Sequence, residues 1–95
     1  MNRLDGKTAL ISGASRGIGE AAARLMISVG ANVIIGDILK TKGEETAERL
    51  GPNAKFIHLD VTDENDWSNA VDLAVDQFGG LDILVNNAGL FLGRD

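Results

Sequence analysis

The stretch SGASRGIGE, residues 12–20, follows directly on the apolar run 8–11 and opens an amphipathic segment. Its glycines, Gly13, Gly17 and Gly19, have the spacing G-x-x-x-G-x-G. Glycines at such positions allow a tight turn, let the backbone approach a ligand and let a helix pack closely on a strand. A helix beginning near Gly17 would also direct its free N–H groups and positive dipole end at an anion. The stretch therefore predicts a phosphate-binding turn, with a plain strand-to-helix turn as the alternative.

Apolar runs of strand length alternate with amphipathic segments of helix length along the chain. This alternation predicts strands at 8–12, 32–37, 55–61 and 81–85, and helices at 17–29, 40–50 and from Thr62 or Asp63 to Phe78. Strands that are apolar throughout and joined by helices are typical of a parallel sheet buried on both faces. Right-handed crossovers leave 3-2-1-4 as the simplest strand order. We expect an α/β fold, a doubly wound parallel sheet with helices on both faces, in one domain over residues 1–95.

The predicted strand order makes strands 1 and 4 neighbours whose following connections diverge to opposite faces of the sheet. A crevice opens at the carboxyl ends of such strands, where open α/β sheets bind their ligands. The turns at this edge are the two richest in glycine and asparagine, GASRGIG at 13–19 and NNAG at 86–89. This coincidence predicts a ligand site between the two turns.

An acidic residue, Asp37, ends strand 2 and lies 24 residues after Gly13. A carboxylate about 20 residues beyond such a loop binds the ribose hydroxyls of a dinucleotide. It favours NAD over NADP, because a 2′-phosphate would meet like charge. Within the loop, Ser15 can offer a hydroxyl to a phosphate, and the guanidinium of Arg16 could reach a 2′-phosphate. No lysine or arginine directly follows Asp37, so NAD is the predicted cofactor and NADP the alternative.

The end of strand 3 carries the pair Asp60 and Val61. The carboxylate could accept a hydrogen bond from an adenine amino group while the valine packs on the ring. The alternative is that Asp60 belongs to a strand end that runs into a helix cap.

The composition excludes several other classes of protein. Fourteen acidic and nine basic residues give a net charge of −5, which disfavours nucleic acids and anionic membranes as partners. Cysteine is absent, so a disulfide, a thiolate nucleophile or a cysteine-ligated metal is impossible. The sequence has no metal-ligand grouping, no signal-peptide pattern and no run near the ~20 apolar residues of a membrane span. We therefore expect a cytoplasmic protein without a metal.

Four segments together resemble the short-chain dehydrogenase/reductase family. They are the loop 12–19, Asp37, the run 59–61 and the turn 86–89, and the resemblance covers essentially the whole chain. The commonest form of the family opens the loop with threonine, and Ser12 keeps that hydroxyl. The resemblance implies a Rossmann-type fold, incomplete relative to the family.

The resemblance also implies which residues bind the nicotinamide cofactor. The loop would wrap the pyrophosphate and adenosine ribose, Asp37 would hold the adenosine hydroxyls, and Asp60 with Val61 would hold the adenine. Asn86 would help to tie the central strands together. The implied cofactor-binding residues are Gly13, Ser15, Arg16, Gly17, Ile18, Gly19, Asp37, Asp60, Val61, Asn87, Ala88 and Gly89.

Members of the family interconvert alcohols and carbonyls by hydride transfer to or from NAD or NADP. Their catalytic serine, tyrosine and lysine, with a supporting asparagine, lie beyond the NNAG turn. Only six residues follow Gly89 here and the sequence has no tyrosine, so we expect no catalytic residue in these 95 residues. The chain looks like the cofactor-binding part of an oxidoreductase that acts on a small alcohol or carbonyl compound as a homo-oligomer. Its N-terminal sequence is similar to NAD-preferring members that act on hydroxysteroids and secondary alcohols.

Other functions fit parts of the same pattern. A non-enzymatic module that binds NAD as a signal or structural ligand would need the same loop and carboxylate. A methyltransferase also joins a glycine-rich first turn to an acid ending strand 2, although its glycines usually run G-x-G-x-G. A P-loop ATPase is disfavoured, because no Lys-Ser or Lys-Thr pair follows the last glycine.

Overall fold

The computed structural model describes residues 3–88. Its elements alternate in the order β1 (Thr8–Ser12), α1 (Gly17–Ser28), β2 (Asn32–Asp37), α2 (Lys40–Leu50), β3 (Ala54–His58), α3 (Glu64–Phe78) and β4 (Ile83–Asn86). The strands form a parallel sheet in the order β3-β2-β1-β4. The predicted α/β fold and strand order are therefore confirmed.

Strand β1 occupies an interior position in the sheet, and all five of its residues are buried. Its last residue, Ser12, is in register with Gly36 of β2 on one side and Asn86 of β4 on the other. Parallel strands that end in register bring their following turns to one edge of the sheet. The glycine-rich loop therefore begins between the ends of two neighbouring strands.

The alternation of side chains along β1 divides the core into two apolar layers. Ala9 and Ile11 pack on the face that carries Ala23 of α1 and Ala47 of α2. Leu10 packs on the opposite face, in the cluster that contains the buried alanines of α3. Helices thus cover both faces, and this arrangement produces the long apolar runs from which the strands were predicted.

Strand β3 is shorter than its sequence pattern predicts. It ends at His58, although the backbone N–H of Leu59 still donates to the Asp37 carbonyl at 3.0 Å. The chain then turns, because one carboxylate oxygen of Asp60 accepts hydrogen bonds from the backbone and hydroxyl of Thr62. The predicted extension of this strand to residue 61 is therefore wrong.

Strand β4 also differs from its prediction, in both start and burial. It begins at Ile83, after Asp82, whose carboxylate accepts the Thr8 N–H at 2.9 Å. Ile83 and Val85 pack against the layer that holds α1 and α2, whereas Leu84 is 57% exposed. Burial on both faces, which the continuous apolar run predicts, holds for β1 but not for β4 among the described residues.

Thr8 provides a test of the packing at the amino end of β1. Its side chain is 1% exposed, and its hydroxyl has no hydrogen-bond partner among the residues that the structure describes. Because a buried unpaired hydroxyl is unfavourable, Thr8→Val should keep or raise the free energy of unfolding, by up to about 1 kcal/mol. Urea denaturation measures this change, and a loss of more than about 1 kcal/mol would contradict the packing described here.

Candidate functional site

A cavity of about 540 Å³ lies at the carboxyl ends of the strands. Nine of the predicted binding residues line it: Gly13, Arg16, Gly17, Ile18, Asp37, Asp60, Val61, Asn87 and Ala88. Ser15 and Gly19 are buried and do not line it. Gly89, the remaining predicted residue, lies outside the described residues. The sheet thus brings residues from four separate turns to one cavity.

The glycine-rich loop reaches the cavity through two residues in the left-handed region of backbone conformation. Gly13 has φ +66° and Gly17 has φ +63°. A residue with a Cβ adopts such backbone angles only at a cost in energy. Arg16 is the N-cap of α1, and its side chain makes no capping hydrogen bond. The first N–H groups of α1 therefore lack a side-chain cap at the helix end where Gly17 and Ile18 line the cavity.

Hydrogen bonds join the loop to the turn after β4. The Ser12 hydroxyl donates to Asn86 Oδ1 at 2.9 Å and accepts from the Ala88 backbone N–H at 3.0 Å. Asn87 Nδ2 donates to the Gly13 carbonyl at 3.0 Å. Ser12, which opens the loop, thus connects β1 to β4 through its hydroxyl. Asn86 accepts this bond and so links the two central strands, as the resemblance implies.

Gly19 is required by packing rather than by contact with the cavity. A Cβ at this position would lie 2.8 Å from both Ala14 Cα and Asn87 Nδ2, and still closer to the Gly13 carbonyl oxygen. Two of these three neighbours are backbone atoms, which cannot move aside as a flexible side chain can. The absence of a side chain therefore lets α1 pack directly against the loop.

Asp37 is 8% exposed and is held by three hydrogen bonds. Its Oδ2 accepts from the backbone N–H of Ser15 at 3.1 Å and from the Ser15 hydroxyl at 2.6 Å. Its Oδ1 accepts from the Leu39 N–H at 3.1 Å. The Ser15 hydroxyl, which the sequence pattern makes available to a phosphate, is instead buried and donates to Asp37.

Asp60 and Val61 line the cavity in a turn that is itself well anchored. Asp60 Oδ1 accepts from Thr62 Oγ1 at 2.6 Å and from the Thr62 N–H at 2.9 Å, and these bonds lower the pKa of Asp60. The Val61 carbonyl accepts from Trp67 Nε1 at 2.8 Å. The N-cap of α3 is Asp63, which accepts from the Asn65 N–H, so Asp60 forms the preceding turn rather than the cap.

The sequence model of the short chain dehydrogenase family matches residues 7–95. The chain belongs to the short-chain dehydrogenase family. The chain is 51% identical, over 88 residues, to the 3-alpha-(or 20-beta)-hydroxysteroid dehydrogenase of Mycobacterium tuberculosis, covering 93% of this chain and 34% of the relative. It is 46% identical to the trans-4-hydroxycyclohexanecarboxylate dehydrogenase of Sinomonas cyclohexanicum, over 95% of this chain and 38% of the relative.

A solved structure gives the same result for the fold. The 3-ketoacyl-(acyl-carrier-protein) reductase of Brucella melitensis, complexed with NADH, superposes with a TM-score of 0.81 at 41% identity. The match covers 85% of this chain and 33% of the reductase. The chain therefore spans about a third of the length of the relatives it matches.

Four residues that line the cavity were not predicted from the sequence: Ile38, Leu39, Leu59 and Thr62. Ile38 and Leu39 are neighbours in this lining and are 61% and 36% exposed, so together they present an apolar surface to the cavity. Their signal in the sequence was an apolar pair directly after the carboxylate that ends β2. Among the described lining residues, Arg16 is the one cation, so the carboxylates of Asp37 and Asp60 dominate the local charge.

An ion-pair cluster joins α1 to α2, and none of its residues lines the cavity. The Glu20 carboxylate accepts from Arg24 at 2.9 Å and from Arg49 of α2. The hydrogen bond from Arg49 lowers the pKa of Glu20, against the opposing effect of partial burial. Glu20 therefore stays ionised at neutral pH. Its contribution to stability is present above its ordinary pKa and is lost as pH falls through the lowered value.

Gly19→Ala should destabilise the fold and distort the cavity, because the added Cβ would overlap backbone atoms. The expected loss in free energy of unfolding is roughly 1–3 kcal/mol. Gly80→Ala is the matched control, since a Cβ there meets nothing within 4 Å, and it should change stability by less than about 0.5 kcal/mol. Urea denaturation compares the two variants, and equal effects would contradict the close packing of α1 on the loop.

Proposed function

We propose that this chain is the cofactor-binding part of an NAD(P)-dependent oxidoreductase that interconverts an alcohol and a carbonyl compound, with NAD preferred. One observation carries the proposal: the glycine-rich N-terminus of α1 and the carboxylate of Asp37 line the same cavity. A dinucleotide needs an anion site for its pyrophosphate and an acceptor for its ribose hydroxyls. The cavity offers both, together with an apolar wall for a base.

The pyrophosphate would bind at the N-terminus of α1. Its N–H groups have no side-chain cap there, and the helix dipole favours negative charge. The exposed side chain of Arg16 adds a positive charge to the lining of the cavity. Gly13, Asn87 and Ala88 would contact the cofactor from the opposite turn, and Gly89 remains a predicted contact. Gly19 and Ser15 would support the site by packing and through Asp37.

The adenosine would bind between Asp37 and the turn after β3. A carboxylate oxygen offers about two acceptor sites, and Ser15 fills both sites on Oδ2. The Leu39 N–H uses one site on Oδ1, so one acceptor site is left for a ribose hydroxyl. Asp60 keeps the second oxygen of its carboxylate for the adenine amino group, and Val61 and Ile38 provide apolar contacts for the ring. The residues present therefore fit the group.

The preference for NAD follows from charge at the ribose. A 2′-phosphate would carry its negative charge against the buried carboxylate of Asp37. The nearest lysine after it, Lys40, is already paired with Glu44 at 3.1 Å on the surface of α2. Arg16 is the one described cation that lines the cavity and could favour NADP, and its exposed side chain is screened by water.

A bound nicotinamide dinucleotide would supply the hydride acceptor or donor, and the sequence provides no tyrosine to act as the family's general acid and base. We assign no catalytic role to residues 1–95. The substrate class proposed for the whole protein is a secondary alcohol or ketone, a class supported by the hydroxysteroid and hydroxycyclohexanecarboxylate dehydrogenases among its relatives. A cytoplasmic homo-oligomer that binds neither nucleic acid nor membrane remains the prediction. No described helix is long and apolar enough to span a bilayer.

The non-enzymatic alternative uses the same cavity and differs only in lacking hydride transfer after the cofactor has bound. The described residues contain no cluster of three potential metal ligands, so a metal-assisted reaction gains no support from them. Dehydrogenases among the relatives support the enzyme, which is the function we retain.

Asp37→Ala should weaken NAD binding more than NADP binding. The variant loses a hydrogen-bond acceptor for the ribose and also removes the repulsion of a 2′-phosphate. We expect NAD affinity to fall by roughly 1–3 kcal/mol while NADP affinity is unchanged or improves. Calorimetric titration of both cofactors measures the difference.

Two further variants control this experiment. Asp37→Asn removes the charge, keeps one acceptor oxygen and replaces the other with an amide donor, so it should change the two cofactor affinities in the same direction as Asp37→Ala. Asp76→Ala removes an exposed carboxylate in the last turn of α3 and should leave both affinities unchanged. Equal losses of NAD and NADP affinity in Asp37→Ala would remove the case for NAD.

A further inference from the structure

A buried threonine on α2 is hydrogen-bonded to the glycine-rich loop. Thr46 is fully buried, and its hydroxyl donates to the Ser15 carbonyl at 2.6 Å, across 31 residues of sequence. Ser15 is also fully buried. Thr46 does not line the cavity, so it cannot contact a ligand there directly.

The hydrogen bonds continue from Ser15 to the ribose carboxylate. The Ser15 N–H and hydroxyl both donate to Asp37 Oδ2, at 3.1 and 2.6 Å. The carbonyl, N–H and hydroxyl of one loop residue are therefore all used, linking α2, the loop and the end of β2. Because all three residues are buried, each bond forms in a low-dielectric environment where losing a partner is costly.

The Thr46 hydroxyl does not make the hydrogen bond that is usual for a threonine inside a helix. A threonine hydroxyl inside a helix commonly bonds to a carbonyl of the preceding turn of its own helix. In this protein the hydroxyl of Thr46 instead satisfies a carbonyl in a different element. Without it, the buried Ser15 carbonyl would lose this donor, and the loop could move away from Asp37.

We propose that Thr46 is a positioning residue that sets the preference for NAD over NADP, acting through Ser15 on the orientation of the Asp37 carboxylate. This inference rests on the proposed function. Thr46 holds Ser15 in place, and Ser15 fills both acceptor sites of Oδ2. The carboxylate is thereby fixed, and Oδ1 is left to accept the ribose hydroxyl.

The test compares Thr46→Val with Thr46→Ser in the 95-residue chain by calorimetric titration with NAD and with NADP. Valine keeps the shape of threonine and removes its hydroxyl, so NAD should bind about 3- to 10-fold more weakly while NADP changes by less than about 2-fold. Thr46→Ser keeps the hydroxyl and should restore NAD binding. A parallel loss of both cofactors, or a failure of Thr46→Ser to restore NAD binding, would overturn the proposal.

Thr8→Val is the matched control for loss of a buried threonine hydroxyl. Thr8 lies at the opposite end of β1 from the loop, and its hydroxyl has no partner in the described part of the chain. The Thr8→Val substitution should leave the ratio of NAD to NADP affinity unchanged. Ser15→Ala provides a second route if Thr46→Val fails to fold, because it removes the hydroxyl bond to Asp37 and retains the Ser15 carbonyl. It should weaken NAD selectively, and an unselective effect would contradict the proposal.

A double-mutant cycle separates positioning from general stability. If Thr46 acts through Asp37, Thr46→Val should have no further effect on the NAD-to-NADP ratio in an Asp37→Asn background. Additive effects would overturn the proposed route. An unsubstituted chain that binds neither cofactor would overturn the proposed function and this inference together. A chain that prefers NAD but whose ratio is insensitive to Thr46→Val would overturn the inference alone.

Discussion

The carboxyl end of β1 and the loop after it are hydrogen-bonded to both neighbouring strands, and the cavity depends on this arrangement. On one side the Ser12 hydroxyl bonds to Asn86 and Ala88 beyond β4. On the other side Ser15 donates twice to Asp37 at the end of β2. These bonds fix a loop that contains three glycines, and they offset the large conformational entropy that such a loop loses on ordering. A fixed loop keeps the N-terminus of α1 directed at one point, as recognition of a phosphate requires.

An acidic protein can still bind an anionic cofactor, because the local field at the loop differs from the net charge. The net charge of −5 is spread over the surface, whereas the first N–H groups of α1 converge at the cavity. The carboxylates of Asp37 and Asp60 line the same cavity, and the proposed dinucleotide would present hydroxyl and amino groups to them rather than phosphate.

The fold could be predicted because its strongest signals are local and periodic. Apolar runs placed β1 and β2 at their observed bounds, and the glycine spacing placed the turn before α1. Asp37 and the asparagine turn were predicted from their positions at strand ends. The role of Ser15 was not, since its hydroxyl is directed by a partner 22 residues away. The hydrogen bond made by Thr46 and the exposure of Leu84 likewise depend on which elements pack together. The local sequence does not indicate that packing.

We propose that this cavity binds a nicotinamide dinucleotide, with pyrophosphate at the loop and adenosine between Asp37 and Val61. Titration of the isotope-labelled chain with NAD, followed through its backbone amide resonances, tests it most directly. The largest shifts are expected at 13–19, 37–39 and 60–62, with few changes in the outer helices. Shifts confined to other surfaces, or no shifts at millimolar NAD in a folded chain, would contradict the account.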